Sequence, residues 1–465
     1  MQLDRETPSA KSIIELKKTK TIKKKLSTNM KAPSFSKLSK LEKIEWLAQK
    51  SKDPHFRKQL TRFWHPEEKE QKLFDEFSEN TLSNYYLPFG VAPHFVINGE
   101  SYDVPMVIEE SSVVAAAANA AKFWSTRGGF TATVSSMTKV GQVHFLWQGK
   151  KSLLENYFQE SKNDFFRTLA PLTEKMEKRG GGVLDLKLID KTSEIENYYQ
   201  LYATFNTCDA MGANFINTCL EELSEALTSG IKNDPRFTDC NSVKVIMSIL
   251  SNYTPECKVT ATVTCAFEEL DNVIPGMPGF EYAEKFATAV EIANSDINRA
   301  VTHNKGIMNG IDAVVLATGN DFRAVEACAH AYASSTGKYK SLSQVSLKDH
   351  SFAFTLEMPL AIGTVGGLTS LHPLSKTSLA MLKNPDAETL MKIVACVGLA
   401  QNFGAIRSLT TTGIQRGHMK MHLMNILNSF GATEIEVAEA KAYFTDKVVS
   451  YQGVEELLKS MRAHH

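Results

Sequence analysis

Between residues 130 and 253 the chain alternates short runs of period-two hydrophobicity with long helical runs. This order constrains the fold more than any other feature. Residues 130–134 and 142–147 read as strands, and 151–178 as a helix with Leu153, Leu154 and Phe158 on one face. Gly180-Gly181-Gly182 then breaks the chain. Residues 183–188 alternate apolar and polar, as a half-buried strand does, and 198–205 read as another strand. Residues 209–227 form a helix and 243–250 a closing strand. The order is approximately β-α-β-β-α-β, the split-βαβ or ferredoxin-like arrangement.

The flanks are patterned differently. Helical periodicity begins near Leu41, with Ile44 and Leu47 on the same face, and that segment runs to His65-Pro66. An extended run at 93–105 carries a turn at Asn98-Gly99. A strand at 105–108 leads through Glu109-Glu110-Ser111-Ser112 into an Ala-rich helix at 113–124, with Ser111 or Ser112 as N-cap. Beyond residue 279 the pattern is mostly helical, at 279–297, 321–334, 387–402 and 419–430. Two Gly-rich turns, 305–310 and 363–367, interrupt it. The segment 415–465 is rich in charged helix formers and reads as a separable C-terminal unit.

Charge narrows the function class. Lys+Arg and Asp+Glu are both 52, so the chain has no overall basic bias towards nucleic acid. Residues 1–50 hold 13 Lys+Arg against 5 Asp+Glu, a net of +8, which leaves −8 on the body. The basic part is an arm around Lys17-Lys18 and Lys23-Lys24-Lys25, read as a solvated extension. Seven scattered cysteines with no CxxC pair fit buried thiols in a reducing cytoplasm. The run 113–121 is too short to span a bilayer, and the N-terminus has no signal-peptide core. We therefore expect a cytoplasmic protein without a membrane or nucleic-acid partner.

Several residues carry chemistry. In Asp209-Ala210-Met211-Gly212-Ala213-Asn214, an acidic N-cap and small residues precede a helix, which suits a phosphate cradle as well as an ordinary capped helix. Lys305, beside Gly306, is placed to stabilise an oxyanion, and Asp321 to sit at a helix start as an anion. A structural Lys–Asp pair fits equally. Glu110 lies where a strand meets a helix, at the mouth of a cleft or in solvent. His418 and His422 are one helical turn apart. No third ligand is obvious, so a proton-donating histidine is the better reading and no metal is expected.

Together, the stretches 209–214 (DAMGAN), 303–312 (HNKGIMNGID), 317–321 (ATGND), 399–402 (LAQN) and 413–418 (GIQRGH) resemble the HMG-CoA reductase family, in its bacterial class, over about residues 75–450. The resemblance implies reduction of 3-hydroxy-3-methylglutaryl-CoA to mevalonate and CoA by two NAD(P)H, through mevaldyl-CoA and mevaldehyde. It implies an α+β fold: a large mainly helical domain (41–136 and 253–414), an inserted ferredoxin-like dinucleotide domain (137–252), a C-terminal flap (415–465) and a basic arm (1–40).

The resemblance also assigns roles. Lys305 would stabilise the oxyanion. Glu110 would be the acid, its carboxyl raised by burial or a nearby like charge. Asp321 would link the two, and His418 would protonate the CoA thiolate. Ser112, Arg299, Thr302 and Asn309 would contact the HMG portion. Asp209, Met211, Gly212, Asn214 and Asn252 would contact the dinucleotide, and Gln401 and His422 the CoA or flap region. Homodimers, or assemblies of dimers, are implied, with sites at the subunit interface and with Lys305 and Glu110 drawn from different chains.

The match has departures and open points. Glu79-Asn80-Thr81-Leu82-Ser83 stands where the family reads ENVIG, without the glycine, so local packing there must differ. Lys178 and Arg179 lean the coenzyme towards NADPH over NADH. The direction, synthesis or breakdown of mevalonate, is open. Two other readings remain: an acyltransferase-like CoA-thioester enzyme, which needs a nucleophilic cysteine or a histidine base, and a non-catalytic binding protein using the basic arm.

Overall fold

The computed structural model describes residues 34–237, 243–411, 423–445 and 447–463. The chain divides into two compact units, Met1–Leu87 and Pro88–His465. Residues 41–87, expected to begin the large domain, therefore cluster in the first unit.

In the first unit Ser39 opens α1 (Lys40–Ala48) through a capping box with Glu42. Then come α2 (Phe56–Arg62) and α3 (Glu68–Asp75). The helix expected to run to His65 is thus two helices. The break falls at Asp53-Pro54, because proline disfavours helical backbone in the residue before it. Lys40 meets Asp75 at 2.6 Å, and the Arg57 guanidinium forks onto buried Glu45 at 2.7 and 2.9 Å.

The second unit is α+β. Strands β1 (Phe89–Ile97) and β2 (Glu100–Val107) form a hairpin whose turn, Asn98-Gly99, takes positive φ at both residues. Helix α4 (Val113–Ser125) and strand β3 (Thr131–Val134) follow. The ferredoxin-like segment is β4 (Lys139–Trp147), α5 (Lys151–Glu177), β5 (Gly182–Asp190), β6 (Tyr198–Asn206), α6 (Ala213–Asn233) and β7 (Val243–Ser251). Its sheet is antiparallel throughout, in the order β5-β6-β4-β7. Inward residues such as Val143, Phe145, Leu201 and Phe205 share a core with Leu154, Phe158, Leu220 and Leu223 of the two helices.

The rest of the unit builds a separate core. Its elements are β8 (Lys258–Ala266), α7 (Gly279–Ser295), α8 (Ile297–Ala317), α9 (Phe322–Ala333), β9 (Ser343–Lys348), β10 (Ser351–Pro359), α10 (Gly367–Leu371), α11 (Pro373–Met381) and α12 (Ala387–Thr410). Strands β3, β8, β10 and β9 form the second four-stranded sheet. Trp124, Phe286, Phe352 and Phe403 meet ring to ring in the core. Helix α12 is long and apolar enough to cross a membrane, but 78% of its apolar window is buried inside the fold, so it is the core helix of this unit. Helices α13 (Glu434–Tyr443) and α14 (Tyr451–Ala463) pack a third, small core around Leu427, Phe444, Val454 and Leu458.

Two expectations for the C-terminal half fail. The stretch 305–310 is not a turn but the middle of α8. A Cβ on Gly310 would lie 2.8 Å from the Val397 carbonyl oxygen of α12, so that glycine serves close helix packing. The β9–β10 hairpin falls in a region read as helical. Its two-residue turn, Asp349-His350, has positive φ at both positions without a glycine to announce it.

Candidate active site

The helix holding Lys305 explains the placement of four of the expected residues. Arg299, Thr302, Lys305 and Asn309 recur at helical spacing along one stripe of α8. The opposite faces of α8, with Ile307, Met308, Ile311 and Val314, are buried. Lys305 therefore stands outside the core, its side chain 60% exposed.

Across from it, the strand–helix junction after β2 delivers Glu110. The Lys305 ammonium donates to Glu110 Oε2 at 2.6 Å, and Asn309 Nδ2 approaches the same oxygen at 3.4 Å. One chain thus supplies both groups, which corrects the expectation that they come from different chains. Glu110 is 37% exposed and faces a cation, so the deep burial expected of it is not present.

Ser112 holds the N-cap position of α4 with φ of 76°, and its side chain does not cap. Its Oγ is buried without a hydrogen-bond partner. Arg299 is half-buried, its guanidinium has no ion-pair partner among the described residues, and burial lowers its pKa. An orphan hydroxyl and an uncompensated guanidinium suit a ligand that carries a carboxylate.

Asp321 is N-cap of α9, accepting from the backbone N–H groups of Arg323 and Ala324. Burial would push its carboxyl up, but the Arg323 guanidinium and the backbone bonds hold it below the usual aspartate range. The structure records no bond from Asp321 to Lys305 or Glu110, so the expected three-membered network does not form within one chain.

The motif histidine and asparagine before Lys305 are structural. His303 Nε2 meets Ser343 Oγ at 2.7 Å, and Ser343 donates to Asn402 at 2.8 Å. Burial, then the nearby Arg299 charge, lowers the His303 pKa to about 3, so the ring is neutral. This chain of bonds joins two motifs distant in sequence. Gln401, expected at the CoA or flap region, is 6% exposed within α12, and its Oε1 makes no hydrogen bond.

The second cluster gathers around Asp209–Asn214. Gly212, not Asp209, is the N-cap of α6, with φ of 97°, and a Cβ there would strike the Thr207 side chain. The Asp209 carboxylate instead accepts from the Ala387 backbone N–H at 2.8 Å, at the start of α12. The Gly-rich loop after β10 closes on the same turn. Thr364 N–H donates to the Asp209 carbonyl at 2.8 Å, and a Cβ on Gly363 would lie 2.5 Å from the Met211 nitrogen. Asn320 bonds Gly363 through both its amide groups, at 2.8 and 2.9 Å. Met211 and Asn252 line a cleft with Ser251, Thr254 and Ala324, so the helix that Asp321 caps forms one wall of it. Asn214 is exposed in the first turn of α6. His418 and His422 lie outside the described residues.

The comparisons with known proteins show the family. The family model for hydroxymethylglutaryl-coenzyme A reductase matches residues 39–423. The chain belongs to the hydroxymethylglutaryl-CoA reductase family. Among its curated relatives, the HMG-CoA reductase of Archaeoglobus fulgidus is 35% identical over 394 residues, covering 84% of this chain and 86% of that one. The probable HMG-CoA reductase of Borreliella burgdorferi is 34% identical, covering 76% and 79%. A solved class II HMG-CoA reductase from Streptococcus pneumoniae, bound to NADPH in open conformations, superposes with a TM-score of 0.67 at 33% identity. It covers 98% of this chain and 100% of that one. This family member therefore has the expected α+β architecture.

Sequence reasoning missed three groups packed on the Asp209–Asn214 turn: Lys139, Thr207 and the partner of Asp209. Lys139 and Thr207 lie outside the family stretches, and Ala387 is 178 residues from Asp209.

Proposed function

We propose that this chain interconverts 3-hydroxy-3-methylglutaryl-CoA and mevalonate plus CoA, with Lys305 and Glu110 at the reacting carbonyl and a nicotinamide dinucleotide at the Asp209–Asn214 turn. The contact that carries the reading is Lys305 on Glu110 at 2.6 Å, beside Asn309. The turn fits a dinucleotide. Gly212 gives the turn its positive φ and starts a helix whose N-terminus favours an anion, and Met211 and Asn252 line a small pocket beside it. When bound, the reduced nicotinamide supplies hydride.

The chain's own groups do the rest. The Lys305 ammonium stabilises negative charge on the carbonyl oxygen. The short Lys305–Glu110 contact lets a proton pass between the two as the oxygen becomes an alcohol. Arg299 and Ser112 hold the distal carboxylate, Thr302 and Asn309 flank it, and His418 protonates the departing thiolate. Gln401 and His422 support the CoA side.

Asp321 joins the network from a second copy of the chain, which makes the working form a homodimer. Exposed Val365, Leu368, Leu371 and Leu374, close after the Gly363 loop, support an apolar interface on this side. We read residues 137–252 as the dinucleotide domain and 415–465 as the flap, in a cytoplasmic enzyme. NADPH is favoured because the Arg179 carbonyl accepts from Cys208, which sets Arg179 beside the Asp209 turn.

The acyltransferase reading needs a nucleophilic thiol or a histidine base. Burial pushes the Cys219 and Cys257 thiols up to about 11 and Cys265 to about 12, so none of these is a ready thiolate.

The test is oxidation of NADPH and of NADH, each measured with and without HMG-CoA, with mevalonate and free CoA assayed as products. Oxidation that requires HMG-CoA, and is faster with NADPH, is expected. No turnover with either coenzyme would overturn the assignment. Mixing Lys305→Ala with Asp321→Ala protein tests the shared site: activity returns only if each site draws on both chains.

A further inference from the structure

Lys139 opens β4 at the edge of the cleft, yet its side chain is 2% exposed. Its ammonium donates to Thr207 Oγ1 at 2.5 Å and to the Ala210 carbonyl at 2.8 Å. Thr207 Oγ1 also donates to that carbonyl, at 2.6 Å. The approach to the Asp209–Asn214 turn, at Thr207, and its second residue, Ala210, are therefore both fixed to one buried cation. Gly212 packs against the same threonine.

The electrostatics are unusual for a purely structural lysine. A buried ammonium is costly unless paired. Lys139 makes no ion pair among the described residues, and burial lowers its pKa. Asp209 attracts it from beyond ion-pair distance, but that carboxylate is engaged by Ala387. The nearby N-terminus of α6 adds partial positive charge to the same place. Two positive features thus stand together beside a small pocket lined by Met211 and Asn252, with no contacting carboxylate among the described residues to balance them.

We propose that Lys139 is a positioning residue for the dinucleotide: it holds the Thr207–Gly212 turn in shape and supplies the positive charge that favours an anionic coenzyme there. This rests on the nucleotide-site reading above. Thr207 is the relay through which the clamp acts.

The experiment compares KM for NADPH, KM for HMG-CoA and kcat in full-length wild type, Lys139→Met, Thr207→Val and Thr207→Ser. Methionine keeps the apolar stem without the charge. The expected result is an NADPH KM raised about tenfold or more in Lys139→Met, the scale of a lost charged hydrogen bond. Thr207→Val gives a smaller rise and Thr207→Ser stays near wild type. The HMG-CoA KM stays within about twofold in all three, and a merely structural role would not split the constants in this way. If Lys139→Met does not fold, the Thr207→Val and Thr207→Ser pair decides.

An unchanged NADPH KM in the folded variants overturns the proposal, as does an equal rise in both KM values. Absence of turnover in wild type is a different failure, that of the functional reading itself.

Discussion

Two glycines one helical turn apart on α8 make opposite demands, and this can be measured. Replacing either by alanine gains about 1 kcal/mol of helix propensity, and that gain cancels in the comparison. A Cβ at Gly306 meets nothing within 4 Å. A Cβ at Gly310 would lie 2.8 Å from the Val397 carbonyl oxygen and 2.9 Å from the Gln401 Cβ. A backbone oxygen inside α12 cannot step aside as the end of a flexible side chain can. The overpacking penalty is about 1–3 kcal/mol. Gly310→Ala should therefore be less stable than Gly306→Ala by about 1–3 kcal/mol. Urea denaturation of the two variants against wild type reads this directly. Gly310→Ala should also lower turnover, because Lys305 and Asn309 ride on the helix that must shift. Equal stability of the two variants, or greater stability of Gly310→Ala, would refute the claim that this glycine exists for helix contact.

Other outcomes follow from single contacts. Burial, then the neighbouring Glu326 charge, pushes the Asp312 carboxyl up from 3.8 to about 8, so the folded state holds a proton that the unfolded chain releases. Its contribution is fully present below 3.8 and is lost as pH rises towards about 8. Asp312→Asn should therefore gain stability relative to wild type across that window in denaturation at several pH values, and parallel profiles would contradict this. Arg299→Gln should raise the HMG-CoA KM by about 10–100-fold at unchanged NADPH KM, as loss of a charged hydrogen bond does; an unaltered HMG-CoA KM removes Arg299 from the substrate site. Asp209→Ala removes the bond to Ala387 and should cost about 0.5–2 kcal/mol by analogy with lost helix caps. It should also raise the NADPH KM, and steady-state kinetics with thermal unfolding checks both.

The legible parts of the fold were those set by local periodicity. The ferredoxin-like order followed from alternating strands and from the break at Gly180–Gly182, because a half-buried sheet writes its period into the sequence. The Asn98-Gly99 hairpin was legible for its turn chemistry. The hairpin at Asp349-His350 was not, because that turn lacks the glycine that usually marks it, although Phe352, Phe354, Leu356 and Met358 do alternate inward. The glycines of α8 were misread as a turn, because a packing glycine and a turn glycine look alike without the neighbouring helix. In the site, Lys305 and Glu110 could be named from motifs, but their contact spans 195 residues. Asp209 looked like the cap of its own helix, but its carboxylate bonds the start of another. Lys139 carried no sequence signal, since a lysine opening a strand usually lies in solvent.

The central claim is that Lys305 stabilises the charge that forms on the substrate carbonyl. It is tested most directly by the HMG-CoA-dependent oxidation rate of Lys305→Ala beside wild type, with both proteins shown to fold and to bind NADPH equally. The account predicts a loss of about 10²–10³-fold in kcat, as for removal of an oxyanion donor. A Lys305→Ala enzyme that turns over at the wild-type rate would contradict it.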